Sequence, residues 1–134
     1  MMLEHLKALC QLNGISGRED AVQQYIIKQL ETWKLSYQVD PLGNILVEKD
    51  GQKPAKTKLM ISAHMDEVGG IVTYVHEDGT LQFEPVGGIQ PSVVIGRQVT
   101  VGENPGLSAV VGTTPIHLLS AKQRTTSVTF SDLF

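Results

Sequence analysis

His64 and Asp66 stand two residues apart in Ile61-Ser62-Ala63-His64-Met65-Asp66-Glu67, at the end of a mostly apolar run and just before Gly69-Gly70. On an extended chain, residues two apart face the same side. The pair can therefore act together, while Glu67 points elsewhere. Neutral imidazole is the commonest protein ligand for zinc-like ions. A carboxylate beside it can hold the other ring nitrogen, which fixes the tautomer and raises the basicity of the ligating one. A strand-end histidine also serves as an ordinary hydrogen-bonding group, and spacing alone leaves both readings open.

The remaining candidates are weaker. His5 lies on the first helical segment among polar residues and reads as surface. His76 falls at a hairpin turn, His-Glu-Asp-Gly, and reads as exposed. His117 follows Pro115 in a β-rich stretch and reads as a packing or hydrogen-bonding group. Cys10 is the single cysteine. At helical spacing it reads as a small core residue and not as a catalytic thiol. One cysteine allows no internal disulfide and fits a reducing cytoplasm.

The elements that must position these residues follow from periodicity. Leu3, Leu6, Leu9 and Cys10 recur at three and four and predict a helix over 2–12, ended by Asn13-Gly14. Ser16 followed by Glu19 has the capping-box pattern. It would open a second helix over 18–33, with Ala21, Val22, Tyr25, Ile26, Leu30 and Trp33 as its buried stripe. The period then becomes two. Strands are expected over 36–40 and 44–50, joined by Pro41-Leu42-Gly43-Asn44 as a type II turn. After a polar loop over 51–58 comes an apolar strand over 58–64, of the kind covered on both faces. Beyond it the pattern predicts a hairpin turning at Glu77-Asp78-Gly79-Thr80. Further strands are expected over 93–101 and 107–113, separated by the turn 102–106, and another begins in 126–134. The expected boundary divides an α/β part, residues 1–67, from a β-rich part, residues 68–134.

The chain has 134 residues, 41% hydrophobic and 19% charged, with a formal net charge of −3. That is the composition of a globular protein. No Lys/Arg cluster stands out, which argues against nucleic acid as a partner. No apolar run approaches the roughly 18 residues that cross a bilayer, which argues against a membrane. The N-terminal segment lacks the basic start, apolar middle and small-residue cleavage site of a signal peptide.

Several strings together resemble one family. Gly-Ile-Ser-Gly-Arg-Glu-Asp (14–20), Asp40 with Gly43 and Asn44, Ala-His-Met-Asp-Glu (63–67) followed by Val-Gly-Gly, and Pro115 with His117 occur in the order of the forty-second family of metallopeptidases. These are cytosolic dinuclear-metal aminopeptidases, often called glutamyl or tetrahedral aminopeptidases, some once labelled endoglucanases. The resemblance implies the start of an α/β catalytic domain followed by an inserted, β-rich, PDZ-like domain, both incomplete. It implies release of N-terminal residues from peptides, two divalent metal ions (zinc or cobalt) in the complete enzyme, and a homo-oligomer. His64 matches the first metal ligand, and Asp66 the acid that orients and tunes the site. The family's bridging aspartate, Glu-Glu pair, further aspartate and last histidine find no match here. This chain is therefore expected to hold at most one weak metal site, to be inactive by itself, and to be part of a longer protein. The alternative reading is a non-catalytic assembly or peptide-binding module formed by the β-rich half.

Overall fold

The structure, a computed structural model, describes residues 2–53, 56–103 and 105–134. The expected loop 51–58 and the turn 102–106 each contain residues outside this set. By internal contacts the chain forms two compact units, Met1–Glu67 and Val68–Phe134. Among the described residues, no helix is long and apolar enough to cross a membrane.

In the first unit, helix α1 spans Met2–Leu9 and helix α2 spans Asp20–Thr32. α1 ends before Cys10, so that side chain is exposed and not a core residue. In α2 the apolar stripe narrows to Val22 and Leu30, which are buried, flanked by half-buried Tyr25 and Ile26. Ala21 and Trp33, at the edges of the expected stripe, are exposed. His5 is not a solvated surface residue. Its Nδ1 lies 2.8 Å from the Tyr25 hydroxyl, and its ring stands edge-on to Tyr25 and Trp33 with centroids at 6.1 and 5.9 Å. A polar ring on α1 thus packs against the aromatic side of α2, combining ring contact with a satisfied hydrogen bond.

Strand β1 (Tyr37–Val39) pairs antiparallel with β2 (Ile45–Val47), with Val39 opposite Ile45. The loop between them closes one residue earlier than the expected type II turn. Gly43 N–H donates to Asp40 O at 3.0 Å, and Asp40 N–H donates to Asn44 O at 3.1 Å. Gly43 has φ +87. This is the three-residue hairpin loop that ends on a left-handed glycine, whose twist suits the flanking strands.

Segment 58–64 belongs to no ladder, contrary to the expected strand. Leu59, Met60 and Ile61 are 88%, 85% and 88% exposed. A strand exists only through hydrogen bonds to a neighbour, and among the described residues none pairs with this segment. Its end is nonetheless anchored, since Glu67 forms a parallel bridge with Ile15.

The second unit is built from two hairpins and short helical turns. Strands β3 (Gly69–Val75) and β4 (Leu81–Val86) pair antiparallel around a loop of the same kind as the first. Here His76 N–H donates to Thr80 O, Gly79 N–H donates to His76 O, and Gly79 has φ +87. His76 is half-buried, its ring edge-on to Tyr74 with centroids 4.7 Å apart, and not the exposed turn residue expected. Along β4, Leu81, Phe83 and Pro85 are half-buried while Gln82 and Glu84 are exposed, the alternation of a strand covered on one side.

Residues 91–94, with Pro91 in the first turn, form the short helix α3 and not the start of a strand. Strand β5 (Gln98–Val101) then pairs with β6 (Leu107–Val110). Ile116–Leu118 is a 3₁₀ turn carrying His117, which is exposed and not packed. Ala121–Arg124 forms the short helix α4. Within the expected last strand Phe130–Asp132 is a 3₁₀ turn, while Leu133 and Phe134 pair antiparallel with Thr113 and Gly112. Thr129 N–H and Oγ1 both donate to Asp132 Oδ2, at 2.8 and 2.7 Å. Such local side-chain bonds compete with a strand ladder. Leu133 and Val111 are the buried apolar residues among those described in this unit, and Phe130 meets Phe83 edge-on at 6.0 Å.

Candidate functional site

His64 and Asp66 meet as their spacing predicts. The imidazole Nδ1 lies 2.9 Å from Asp66 Oδ1 and 2.9 Å from the Asp66 main-chain oxygen. Both partners are acceptors only, so Nδ1 must carry the proton. In the neutral ring Nε2 is then the lone-pair nitrogen, and it is the one left for a ligand. The His64 side chain is 84% exposed and Asp66 40% exposed.

The other Asp66 oxygen is also committed. Ser16 Oγ donates to Oδ2 at 2.5 Å. This hydroxyl bond, ahead of the His64 contact, holds the Asp66 carboxyl below its ordinary pKa. With one oxygen toward His64 and one toward Ser16, Asp66 is arranged to orient an imidazole.

Ser16 is not the helix cap that its spacing to Glu19 suggested. Arg18 N–H donates to Ile15 O at 2.8 Å, and Gly17 sits at φ +85. Gly in the third position of a closed turn is the type II pattern. That turn separates Ser16 from the helix and leaves its side chain directed at Asp66. Glu19 becomes the N-cap residue with no side-chain cap bond, and its carboxylate accepts Gly17 N–H at 2.7 Å. The Ser-Gly dipeptide carried the signal for the turn, and the capping-box pattern overrode it.

Two further contacts seat the turn. Gly14 N–H donates to Glu67 Oε1 at 2.9 Å, and Glu67 N–H donates to Gly14 O at 2.8 Å. Gly14 is buried, and a Cβ there would lie 2.8 Å from Val22 Cγ2. The absence of a side chain is what lets the turn lie against α2.

A cleft of about 470 Å³ opens beside the pair, lined among others by Asp20, Gln23, Leu42, Asn44, His64 and Asp66. One wall is the β1–β2 loop. Asp40 Oδ1 accepts the Leu42 and Asn44 N–H groups, each at 2.9 Å, and Oδ2 accepts Asn44 Nδ2 at 2.8 Å. The Asn44 bonds lead in holding the Asp40 carboxyl below its ordinary pKa. Gln23 Nε2 on α2 donates to Gly43 O at 2.9 Å and ties helix to loop. The Asp-x-x-Gly-Asn string is thus the frame of a wall.

This geometry fits one metal ligand and its supporting carboxylate. Among the described residues, no group of three or more His, Cys, Asp or Glu could hold an ion. Within the first unit, His5 is engaged with Tyr25 and Trp33 and does not join His64.

Comparisons with known proteins agree on one relationship. The sequence model of the M42 glutamyl aminopeptidase family matches residues 43–134. The glutamyl aminopeptidase of Lactococcus lactis is 35% identical over 120 residues, covering 88% of this chain and 34% of that protein. The crystal structure of a TET aminopeptidase from a marine sediment archaeon, Thaumarchaeota archaeon SCGC AB-539-E09, superposes with a TM-score of 0.85. It is 28% identical, with 98% of this chain and 36% of that one covered. The TET1 peptidase of Pyrococcus horikoshii, described as assembling into a tetrahedron or a large octahedral shell, gives a TM-score of 0.79 at 36% identity. There 99% of this chain and 39% of that one are covered. The chain thus spans about a third of the length of the relatives it matches. Its mixed helices and small sheets superpose on those of TET aminopeptidases, and with the family's sequence model matching well over half its length, the chain belongs to the M42 glutamyl aminopeptidase family.

Proposed function

We propose that these residues serve a metal-dependent aminopeptidase that releases N-terminal residues from peptides, with His64 as a metal ligand and Asp66 as the acid that orients it. The observation that carries this reading is the commitment of His64 Nδ1 to Asp66, which leaves Nε2 as the lone-pair nitrogen beside an open cleft. Two divalent ions, zinc or cobalt, would polarise the scissile carbonyl and activate a water when bound. His64 holds its ring in one tautomer, and Asp66 stays ionised and raises the basicity of Nε2. Further ligands must join His64, and the 134 residues alone are expected to be inactive.

On this reading residues 1–67 belong to the catalytic domain. Residues 68–134 form an inserted, PDZ-like assembly domain, and the protein works in the cytoplasm as a homo-oligomer. The assembly of the Pyrococcus horikoshii relative supports the oligomer. The family relationship favours catalysis over a purely structural module.

Titration with Zn²⁺ or Co²⁺, followed through the imidazole ¹⁵N signals, tests the ligand. His64 Nε2 should respond first, and the response should vanish in His64→Ala. A response centred on His5, His76 or His117 would overturn the assignment. Activity is tested by grafting residues 1–134 in place of the matching third of the Lactococcus lactis enzyme. The hybrid should hydrolyse aminoacyl 4-nitroanilides only with metal, and His64→Ala should abolish that turnover.

A further inference from the structure

Three hydrogen bonds tie the turn around Gly14–Ser16 to the segment Asp66–Glu67. Two of them run between Gly14 and Glu67 and fix the backbone on each side. The third, from Ser16 Oγ to Asp66 Oδ2, reaches the side chain itself. Asp66 is 40% exposed, and a carboxylate so open with a single partner can swing about both of its side-chain torsions. A second partner on the opposite oxygen fixes the plane of the carboxylate.

We propose that Ser16 is a positioning residue of the metal site: its hydroxyl sets the Asp66 carboxylate, and through it the tautomer and ring orientation of His64. The inference rests on reading His64 as a metal ligand. It extends that reading to a residue 50 positions away in the chain.

The chemistry explains why a hydroxyl suits this place. A Lys or Arg would also fix the carboxylate, but its charge would compete with the imidazole for the negative field of Asp66. A neutral donor restrains the carboxylate and leaves its full charge to act on His64. The type II turn keeps Ser16 out of the helix N-cap position, where its oxygen would accept a backbone N–H and the side chain would be turned toward the helix. Ser16 thereby does a different task from the one its sequence context advertises.

The test uses the metal-free chain, isotope-labelled, at a pH where imidazole is neutral. Three-bond couplings report the Asp66 χ1 rotamer, and the ¹⁵N shifts report the His64 tautomer. The wild-type chain should show one Asp66 rotamer and a dominant Nδ1–H tautomer. Ser16→Ala should average the Asp66 couplings and relax His64 toward a mixture of tautomers, with the amide spectrum otherwise unchanged. Ser16→Thr, which keeps the hydroxyl, should restore both.

An alanine variant that keeps the single rotamer and tautomer overturns the proposal. So does a threonine variant that fails to restore them. An alanine variant that loses its dispersed amide spectrum overturns it as well, since Ser16 would then be a folding residue. None of these readouts needs metal or substrate. If they come out as expected and the metal titration fails, the aminopeptidase reading falls while the effect of Ser16 on Asp66 and His64 stands.

Discussion

Gly14 and Glu67 grip each other in both directions: Gly14 donates its N–H to the Glu67 carboxylate at 2.9 Å and accepts the Glu67 N–H at 2.8 Å. Residues 53 apart in sequence are joined at the point where the His-x-Asp segment needs a fixed base. The Gly14 side of this contact has no room. A methyl group there would meet Val22 Cγ2 at 2.8 Å, and Val22 is buried. Gly14→Ala should therefore cost about 1–3 kcal/mol through overpacking. A urea midpoint equal to that of the wild type would show that the turn yields without cost.

The core of the first unit predicts a contrast between two leucines. Leu30 is 7% exposed and Leu59 is 88% exposed. Leu30→Ala should destabilise by about 2 kcal/mol or more, as expected for a truncated buried leucine. It should speed amide exchange along α2. Leu59→Ala should leave unfolding nearly unchanged. Equal effects at the two sites would mean that the segment 58–64 is covered in solution.

Acid should loosen the loops held by Asp40 and Asp132. Asp40 and Asp132 are both held below their ordinary pKa, Asp40 chiefly by the Asn44 side chain and Asp132 chiefly by the Thr129 N–H. A carboxyl depressed on folding stabilises fully above its unfolded value, ~3.9. That stability is lost as the pH falls through the lower folded value. The Leu42 and Asn44 amide signals should move together in this acid window. Asp40→Asn should flatten their response while the Thr129 amide still follows Asp132. A response at Leu42 that survives Asp40→Asn would assign it to another group.

In the hybrid enzyme, Asp66→Asn should keep the fold and lower kcat/KM by about 10- to 100-fold, the usual cost of losing a partner of a ligating histidine. Steady-state kinetics across metal concentrations would measure it. Wild-type kcat/KM in that variant would remove Asp66 from any tuning role.

What was legible in the sequence was local. The hairpins β1–β2 and β3–β4 could be read because alternation and a glycine at the left-handed loop position are written within a few residues, at Gly43 and Gly79. The His64–Asp66 contact was legible for the same reason, as a pair two apart. The rest depended on distant partners. Segment 58–64 has a strand's composition but no neighbour among the described residues to make it one. The pattern in 126–134 has a strand's composition, but the Thr129–Asp132 bonds tighten 130–132 into a 3₁₀ turn and leave Leu133–Phe134 to pair with Gly112–Thr113. At Ser16 two patterns overlap. Ser-x-x-Glu suggests a cap, Ser-Gly suggests a turn, and the bond to Asp66 that favours the turn comes from 50 residues away.

The β3–β4 loop has a consequence for chemical ageing. Asp-Gly pairs isomerise when the glycine amide nitrogen attacks the aspartate carboxyl and closes a succinimide ring. Here the Gly79 N–H is donated to His76 O at 3.0 Å, and Asp78 Oδ1 accepts both the N–H and the hydroxyl of Thr80. Nucleophile and electrophile are each held by another partner. While the hairpin stays folded, isoaspartate should accumulate at Asp78 more slowly than in an unfolded peptide of the same sequence, and local opening of this loop should set the rate.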